Sequence, residues 1–231
     1  MQSSGAEPAL GLSSLTGLYA IVDVDAAEAR RLDWFTVAER IVQAGAPLVQ
    51  FRAKNRPDAF VLEGLRRLRA LVRSEGNCLL FANDRPDLAE LSGADGVHLG
   101  QEDLPVARVK AHYPKLAIGL STHDAAQFRA GLELTVEYLA LGPIFRTSSK
   151  SNPEPTVGLG ALSKLSTEAR EAGMPVVAIG GIGLNELARV REHAPLVAAI
   201  SALLPPPDFA GDAYAEVERL SLQFACAAQI G

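Results

Sequence analysis

Cys78-Leu79-Leu80-Phe81-Ala82-Asn83-Asp84 and Gly96-Val97-His98-Leu99-Gly100-Gln101-Glu102-Asp103 are two short apolar runs, each ending in acids. If they are neighbouring parallel strands, Asp84 and Asp103 emerge at the same end of one sheet. Two carboxylates converging there make an oxygen-rich site suited to Mg²⁺. Taken alone, the same residues are also ordinary turn punctuation, so the rest of the chain has to decide.

Working outward, the pattern recurs. Gly17-Leu18-Tyr19-Ala20-Ile21-Val22-Asp23 is apolar without alternation, which suggests a strand buried on both faces. Further strands are expected at Pro47 to Arg52, Leu116 to Leu120, Tyr138 to Leu141, Pro175 to Ile179 and Leu196 to Ile200. Helical spacing fills the gaps: Phe35 to Ala44, a helix capped by Asp58 and running to Ser74, Pro86 to Leu91, one opened by Leu104-Pro105, one ending near Gly131, Leu159 to Ala172, Asn185 to His193, and Phe209 to Ala225. Eight strand-then-helix units predict a parallel sheet closed as a single (β/α)₈ TIM barrel. An open doubly wound sheet would want a glycine-rich turn after its first strand. That strand ends Val22-Asp23-Val24-Asp25, and the glycine turn, Gly180-Gly181-Ile182-Gly183, follows the seventh. Residues 1–15 read as a disordered leader and 16–231 as the barrel.

The 231 residues carry a net charge of −5, which argues against a general nucleic-acid or anionic-membrane surface but not against a small anionic ligand. Cys78 and Cys226 have neither zinc nor CxxC spacing, so a reducing, cytoplasmic setting is expected. No apolar run is long enough to span a membrane. Oligomeric state is not legible.

In a barrel, chemistry sits at the C-terminal strand ends. Those ends offer Gln50, Arg52 and Lys54; Asn83 and Asp84; Asp103; Ser121 and His123; Thr147, Ser148, Ser149 and Lys150; Gly180-Gly181; and Ser201. Arg52 and Lys54 alternate along an extended strand, so both are expected to point one way. They read equally as anion donors or as surface charges. The hydroxyls and ammonium of 147–150 are phosphate donors or a polar loop. Gly180-Gly181 is an anion cradle or a tight turn. His123 is an acid–base group or a locally bonded loop residue, and His98 reads as barrel interior. Together, two anion sites and a carboxylate pair fit a diphosphate on one side and a monophosphate on the other, with pyrophosphate as leaving group.

The chain resembles the thiamine-phosphate synthase family from about Leu18 to Leu203. The resemblance rests on Gln50-Phe51-Arg52-Ala53-Lys54, Asn83-Asp84, Gly96 to Asp103, Gly119 to His123, Gly142 to Phe145 with Thr147 to Lys150, Ala178 to Ile182, and Ile200-Ser201. It implies a barrel enzyme that joins hydroxymethylpyrimidine diphosphate to a thiazole phosphate, both small phosphorylated substrates. It implies that Gln50, Phe51, Arg52, Ala53, Lys54, Asn83, Ser121 and Lys150 contact the pyrimidine diphosphate. Arg52, Lys54, Ser121 and Lys150 would serve catalysis, and Asp84 and Asp103 would hold Mg²⁺. Thr147, Ser148, Ser149, Gly180, Gly181, Ile200 and Ser201 would hold the thiazole phosphate. Ala53, Phe51, Arg85, Arg146 and Ser148-Ser149 depart from the family's usual residues. Two other readings stand beside this one: a thiazole tautomerase-like barrel, which typically lacks the paired acids, and a non-catalytic barrel that binds a thiamine precursor. The loop from Gly142 to Gly158 is long for its place and is expected to act as a lid.

Overall fold

The structure is a computed structural model that describes residues 12–147 and 155–226. Eight parallel strands close in sequence order: β1 Gly17–Asp23, β2 Leu48–Arg52, β3 Leu79–Asn83, β4 Gly96–Leu99, β5 Ala117–Thr122, β6 Tyr138–Leu141, β7 Val176–Ile179 and β8 Leu196–Ala199, with β8 pairing back to β1. The helices are α1 Val24–Glu28, α2 Trp34–Gln43, α3 Asp58–Glu75, α4 Pro86–Ser92, α5 Val106–His112, α6 Ala125–Leu132, α7 Gly158–Glu171, α8 Leu184–Arg191 and α9 Ala213–Cys226. The expected (β/α)₈ barrel is the observed one, with boundaries moved by a residue or two at most strands.

Local chemistry explains the starts of the helices. Asp33 and Asp124 cap α2 and α6 by accepting from the N–H groups of Thr36 and Gln127, both at 2.8 Å. Pro86 occupies the first turn of α4, where its missing N–H costs nothing. The expected Asp58 cap is not made: Pro57 holds the cap position, and Asp58 lies in the first turn of α3, paired to Arg85. The five-residue helix α1 was not anticipated; Asp23 caps it through Ala26 N–H at 2.8 Å.

Alternation along each strand divides the core. One set of residues meets the helices, among them Phe51, whose ring lies 4.9 Å from that of Trp34. The other set fills the barrel: Tyr19, Ile21, Leu48, Phe81, Ala117, Tyr138, Val177 and Leu196. Leu12, only 2% exposed, joins this inner cluster, so residues 12–15 are not part of a free leader: Leu12–Ser14 form a 3₁₀ turn because the apolar end of the barrel needs covering. Residues 1–11 lie outside the described residues.

The inner rings are accommodated by glycine. A Cβ on Gly119 would stand 2.0 Å from Tyr138 Cζ, and one on Gly96 would stand 2.5 Å from both Phe81 Cζ and the Ala117 carbonyl oxygen. Carboxylates fasten neighbouring strands: Asp95 accepts from Leu80 N–H at 2.8 Å and from Arg69 at 2.7 Å, and Glu137 accepts from Ile118 N–H and from Lys110 at 2.9 Å. Of the arginines on α3, Arg69 is therefore used in the structure. Arg67 is as well, lying 3.9 Å from the Phe35 ring centroid.

Gly119→Ala is expected to destabilise the protein by about 1–3 kcal/mol, the usual cost of overpacking. Gly160→Ala, in α7 with open space around it, is expected to stabilise by about 0.5–1 kcal/mol. Urea midpoints of the two variants check both signs.

Candidate active site

The strand ends of β1 to β5 bring most of the expected residues to one mouth. Asp84 follows β3 in a left-handed conformation, φ +63°, which an aspartate tolerates. Its N–H donates to the His98 carbonyl at 2.9 Å, locking it to the neighbouring strand. Asp103 closes the turn after β4 by accepting from Gly100 N–H at 2.6 Å. The two carboxyl groups come close enough to interact. Burial pushes the Asp84 carboxyl up, the Asp103 charge pushes it further, and Lys54, at 3.5 Å, opposes both. The acid pair expected from the two runs is thus formed.

Arg52 and Lys54 do not point the same way. β2 ends at Arg52, and Lys54 lies in the following turn. Arg52 turns to Asp23, its register partner on β1, in a largely buried ion pair, and Lys54 turns to Asp84 on the other side. Asp23 is a residue that sequence reasoning left out. The available signal was the acid closing the first strand, at the height where its neighbour ends in arginine. Arg52 retains further N–H donors after pairing through one nitrogen.

Gln50 is 1% exposed and faces the barrel interior, where its Nε2 donates to Tyr19 Oη at 2.5 Å. Phe51 points outward: Gly64 leaves room for its ring, so its side chain belongs to the barrel–helix core. Ala53 also packs against that core. Asn83 ends β3, and Ser121 lies on β5 with Oγ 2.8 Å from His98 Nε2. His98 is barrel interior, as expected. His123 donates from Nδ1 to the Gly142 carbonyl at 2.7 Å, a local bond that fixes its ring against the end of β6.

A cavity of about 260 Å³ opens between the ends of β2 and β3, lined by Lys54, Arg56, Asp58, Asn83, Asp84 and Arg85 among others. Arg85 is held by both oxygens of Asp58, at 2.5 and 3.0 Å, and by Asp87 at 2.6 and 2.9 Å. Arg56 is tied to Asp25 at 2.8 Å and Glu28 at 2.6 Å.

Gly180 and Gly181 both have positive φ, and a Cβ on either would strike the backbone of the preceding loop: Pro143 Cα at 2.6 Å, or the Arg146 carbonyl oxygen at 2.5 Å. Close backbone approach is why they are glycines. Phe145 N–H donates to the Gly180 carbonyl at 2.9 Å. Arg146 stands beside this turn; Thr147 is the last described residue of the loop, and Ser148, Ser149 and Lys150 lie outside the described residues. Ile200 precedes a 3₁₀ turn that Ser201 begins. Among the described residues no helix is long and apolar enough to cross a membrane.

The sequence model of the family described as thiamine monophosphate synthase matches residues 18–203. The chain belongs to that family. It is 42% identical over 196 residues, 84% of this chain and 83% of the other, to the thiamine-phosphate synthase of Anaeromyxobacter dehalogenans strain 2CP-C. Among solved structures it is similar to the thiamine phosphate pyrophosphorylase of Pyrococcus furiosus, with TM-score 0.79, 29% identity, and coverage of 94% of this chain and 98% of that one. A 2-keto-3-deoxy-6-phosphogluconate aldolase of Zymomonas mobilis, TM-score 0.64 at 17% identity over 93% of this chain and 95% of that one, shares the fold alone. The parallel strands place the residues collected here at their C-terminal end of the barrel.

Because the folded protein raises the Asp84 carboxyl, its contribution favours folding at low pH and is lost as pH rises through the raised value. Asp84→Asn is therefore expected to be more stable than the parent above about pH 6, by about 1 kcal/mol or less given its partial exposure. The gap should close toward pH 4. Chemical denaturation without divalent metal at the two pH values measures it.

Proposed function

We propose that this chain is a thiamine-phosphate synthase, joining 4-amino-2-methyl-5-hydroxymethylpyrimidine diphosphate to 4-methyl-5-(2-phosphoethyl)thiazole and releasing pyrophosphate. The single observation that carries the site reading is the pair Asp84 and Asp103, just beyond the ends of adjacent strands of a barrel in this family, with Lys54 at its side.

The residues present fit a magnesium ion. Asp23, Asp84 and Asp103 offset the cations Arg52 and Lys54, so the described mouth has too little positive charge of its own to hold a diphosphate. Two carboxylates are the usual protein share of a Mg²⁺ site, with substrate phosphates and water supplying the other oxygens. Asp84 and Asp103 would hold the ion, and it would supply charge stabilisation to the departing pyrophosphate.

The remaining work falls to the chain. Gln50, Asn83 and Ser121 orient the pyrimidine over the barrel. Arg52 and Lys54, with Lys150, meet the diphosphate. Thr147 to Ser149, the Gly180-Gly181 turn and Ile200-Ser201 take the thiazole phosphate. The methylene C–O bond breaks with its electron pair leaving on pyrophosphate, and the thiazole nitrogen forms the new C–N bond to that methylene. No proton changes hands and no enzyme nucleophile is needed. The donors and cations at the strand ends support this reading. Catalysis then consists of positioning and of stabilising charge on the leaving group.

The paired acids weigh against a thiazole tautomerase-like role, and the assembled set of donors weighs against a barrel that only binds. Incubating both substrates with Mg²⁺ is expected to yield thiamine phosphate and pyrophosphate in equal amounts, and neither after chelation. No product at saturating substrate would refute the assignment. Asp84→Ala and Asp103→Ala are each expected to lower turnover about a hundredfold or more while circular dichroism stays that of the parent. Near-parent Mg²⁺-dependent rates in both would remove the metal role.

A further inference from the structure

The barrel floor beneath the proposed pyrimidine site is not apolar. A file of five polar side chains crosses it from β2 to β5. Gln50 Nε2 donates to Tyr19 Oη at 2.5 Å, and Tyr19 Oη lies 2.8 Å from Tyr138 Oη. Tyr138 Oη is 2.8 Å from His98 Nδ1, and His98 Nε2 is 2.8 Å from Ser121 Oγ. Tyr19 and Gln50 are 1% exposed, Tyr138 0% and His98 8%. The rings support one another: His98 stacks on Tyr138 at 16°, and Tyr19 meets Tyr138 edge-on. The proposed chemistry uses the two ends of the file and does not call on the three residues between them.

Each hydroxyl has one proton to give, and that settles the direction. Tyr19 Oη already accepts from Gln50, and a buried O–H must itself donate, so its proton goes to Tyr138 Oη. Tyr138 then gives its own proton to His98 Nδ1. An imidazole that accepts at Nδ1 carries its proton at Nε2, and it donates that proton to Ser121 Oγ. Ser121 is left with its O–H to offer a ligand. Burial holds both phenols protonated, Tyr19 and Tyr138 alike being raised above the ordinary range, so the file runs through neutral groups. Reversing it would require Gln50 to present oxygen to Tyr19 and would turn Ser121 into an acceptor. The two ends are therefore set by each other.

We propose that Tyr19, Tyr138 and His98 are positioning residues that form a one-way hydrogen-bond relay, fixing the Ser121 hydroxyl as a donor and the Gln50 amide oxygen as an acceptor for the pyrimidine substrate. The substrate half of this inference rests on the reading of Gln50 and Ser121 given above; the relay itself rests on the four contacts.

Nitrogen-15 NMR of the histidines in the whole chain, at about pH 8 where an ordinary imidazole is neutral, is expected to show His98 as the single Nε2–H tautomer. The Nδ1–H form, or the two in exchange, would overturn the relay. Tyr138→Phe is expected to abolish the single tautomer and to raise the KM for the pyrimidine diphosphate about five- to tenfold, the worth of one hydrogen bond. The KM for the thiazole phosphate should stay within about twofold. An unchanged pyrimidine KM would overturn the positioning role. Tyr19→Phe cuts the relay one step earlier and serves if Tyr138→Phe does not fold. In it, Gln50→Leu and Ser121→Ala should act additively, whereas in the parent they should not; equal coupling in both backgrounds counts against the relay. Absence of thiamine phosphate formation by the parent would refute the functional reading, and the tautomer would still decide the relay.

Discussion

An eight-stranded barrel is just wide enough to be filled by side chains and has no room to spare. In this chain the largest filling side chains are aromatic: Tyr19, Phe81 and Tyr138 lie inside, the last two over strand positions where Gly96 and Gly119 supply no side chain. Closure thus depends on setting two of these rings, Phe81 and Tyr138, against glycines. Two of the three rings also carry hydroxyls into a region without bulk water, where an unpartnered polar group costs about 1–3 kcal/mol. The packing requirement thereby generates the polar requirement. Once phenols fill the barrel, Gln50, His98 and Ser121 become the means by which those hydroxyls are satisfied. The floor of the site and the core of the fold are one object.

Above that floor the electrostatics follow from where strands end. Parallel strands deliver their ends to one face, so Asp23 meets Arg52, and Asp84 meets Asp103, without any long-range folding of loops. Asp23 has two duties there, capping α1 and holding Arg52. The arginine is therefore oriented before any ligand arrives, while Lys54, half exposed in a turn, keeps more freedom. One cation is pre-set and the other adaptable.

The fold was legible because each strand is a continuous apolar run with a turn residue at its end, and eight such runs admit few topologies. Asp84, Asp103 and the interior His98 could be placed by counting along the strands and from their ends. What could not be read was anything set by contact across the barrel. Arg52 and Lys54 look alike in a sequence, and only the end of β2 at Arg52 sends them to different neighbours. Phe51 and Gln50 are adjacent letters in one motif, yet strand alternation puts one in the helix layer and the other in the barrel. Leu12 looked like leader because the need it answers, an apolar barrel end left uncovered, is not local. Tyr19 and Tyr138 stand 119 positions apart, and nothing but closure brings their hydroxyls together.

The loop that leaves β6 is pinned at both of its roots. Val157 N–H donates to the Pro143 carbonyl at 2.8 Å, Gly158 N–H to the Ile144 carbonyl at 3.2 Å, and Ile144 N–H to the Ile179 carbonyl at 2.9 Å. Whatever the chain does between these roots, the barrel pays little for it: doubling the length of a closed loop adds only about 0.6 kcal/mol of entropy. The segment is in this sense a socket. Its contents can be lengthened, shortened or rewritten while β6, β7 and the glycine turn keep their places, so this side of the mouth can change its sequence without the fold having to be solved again.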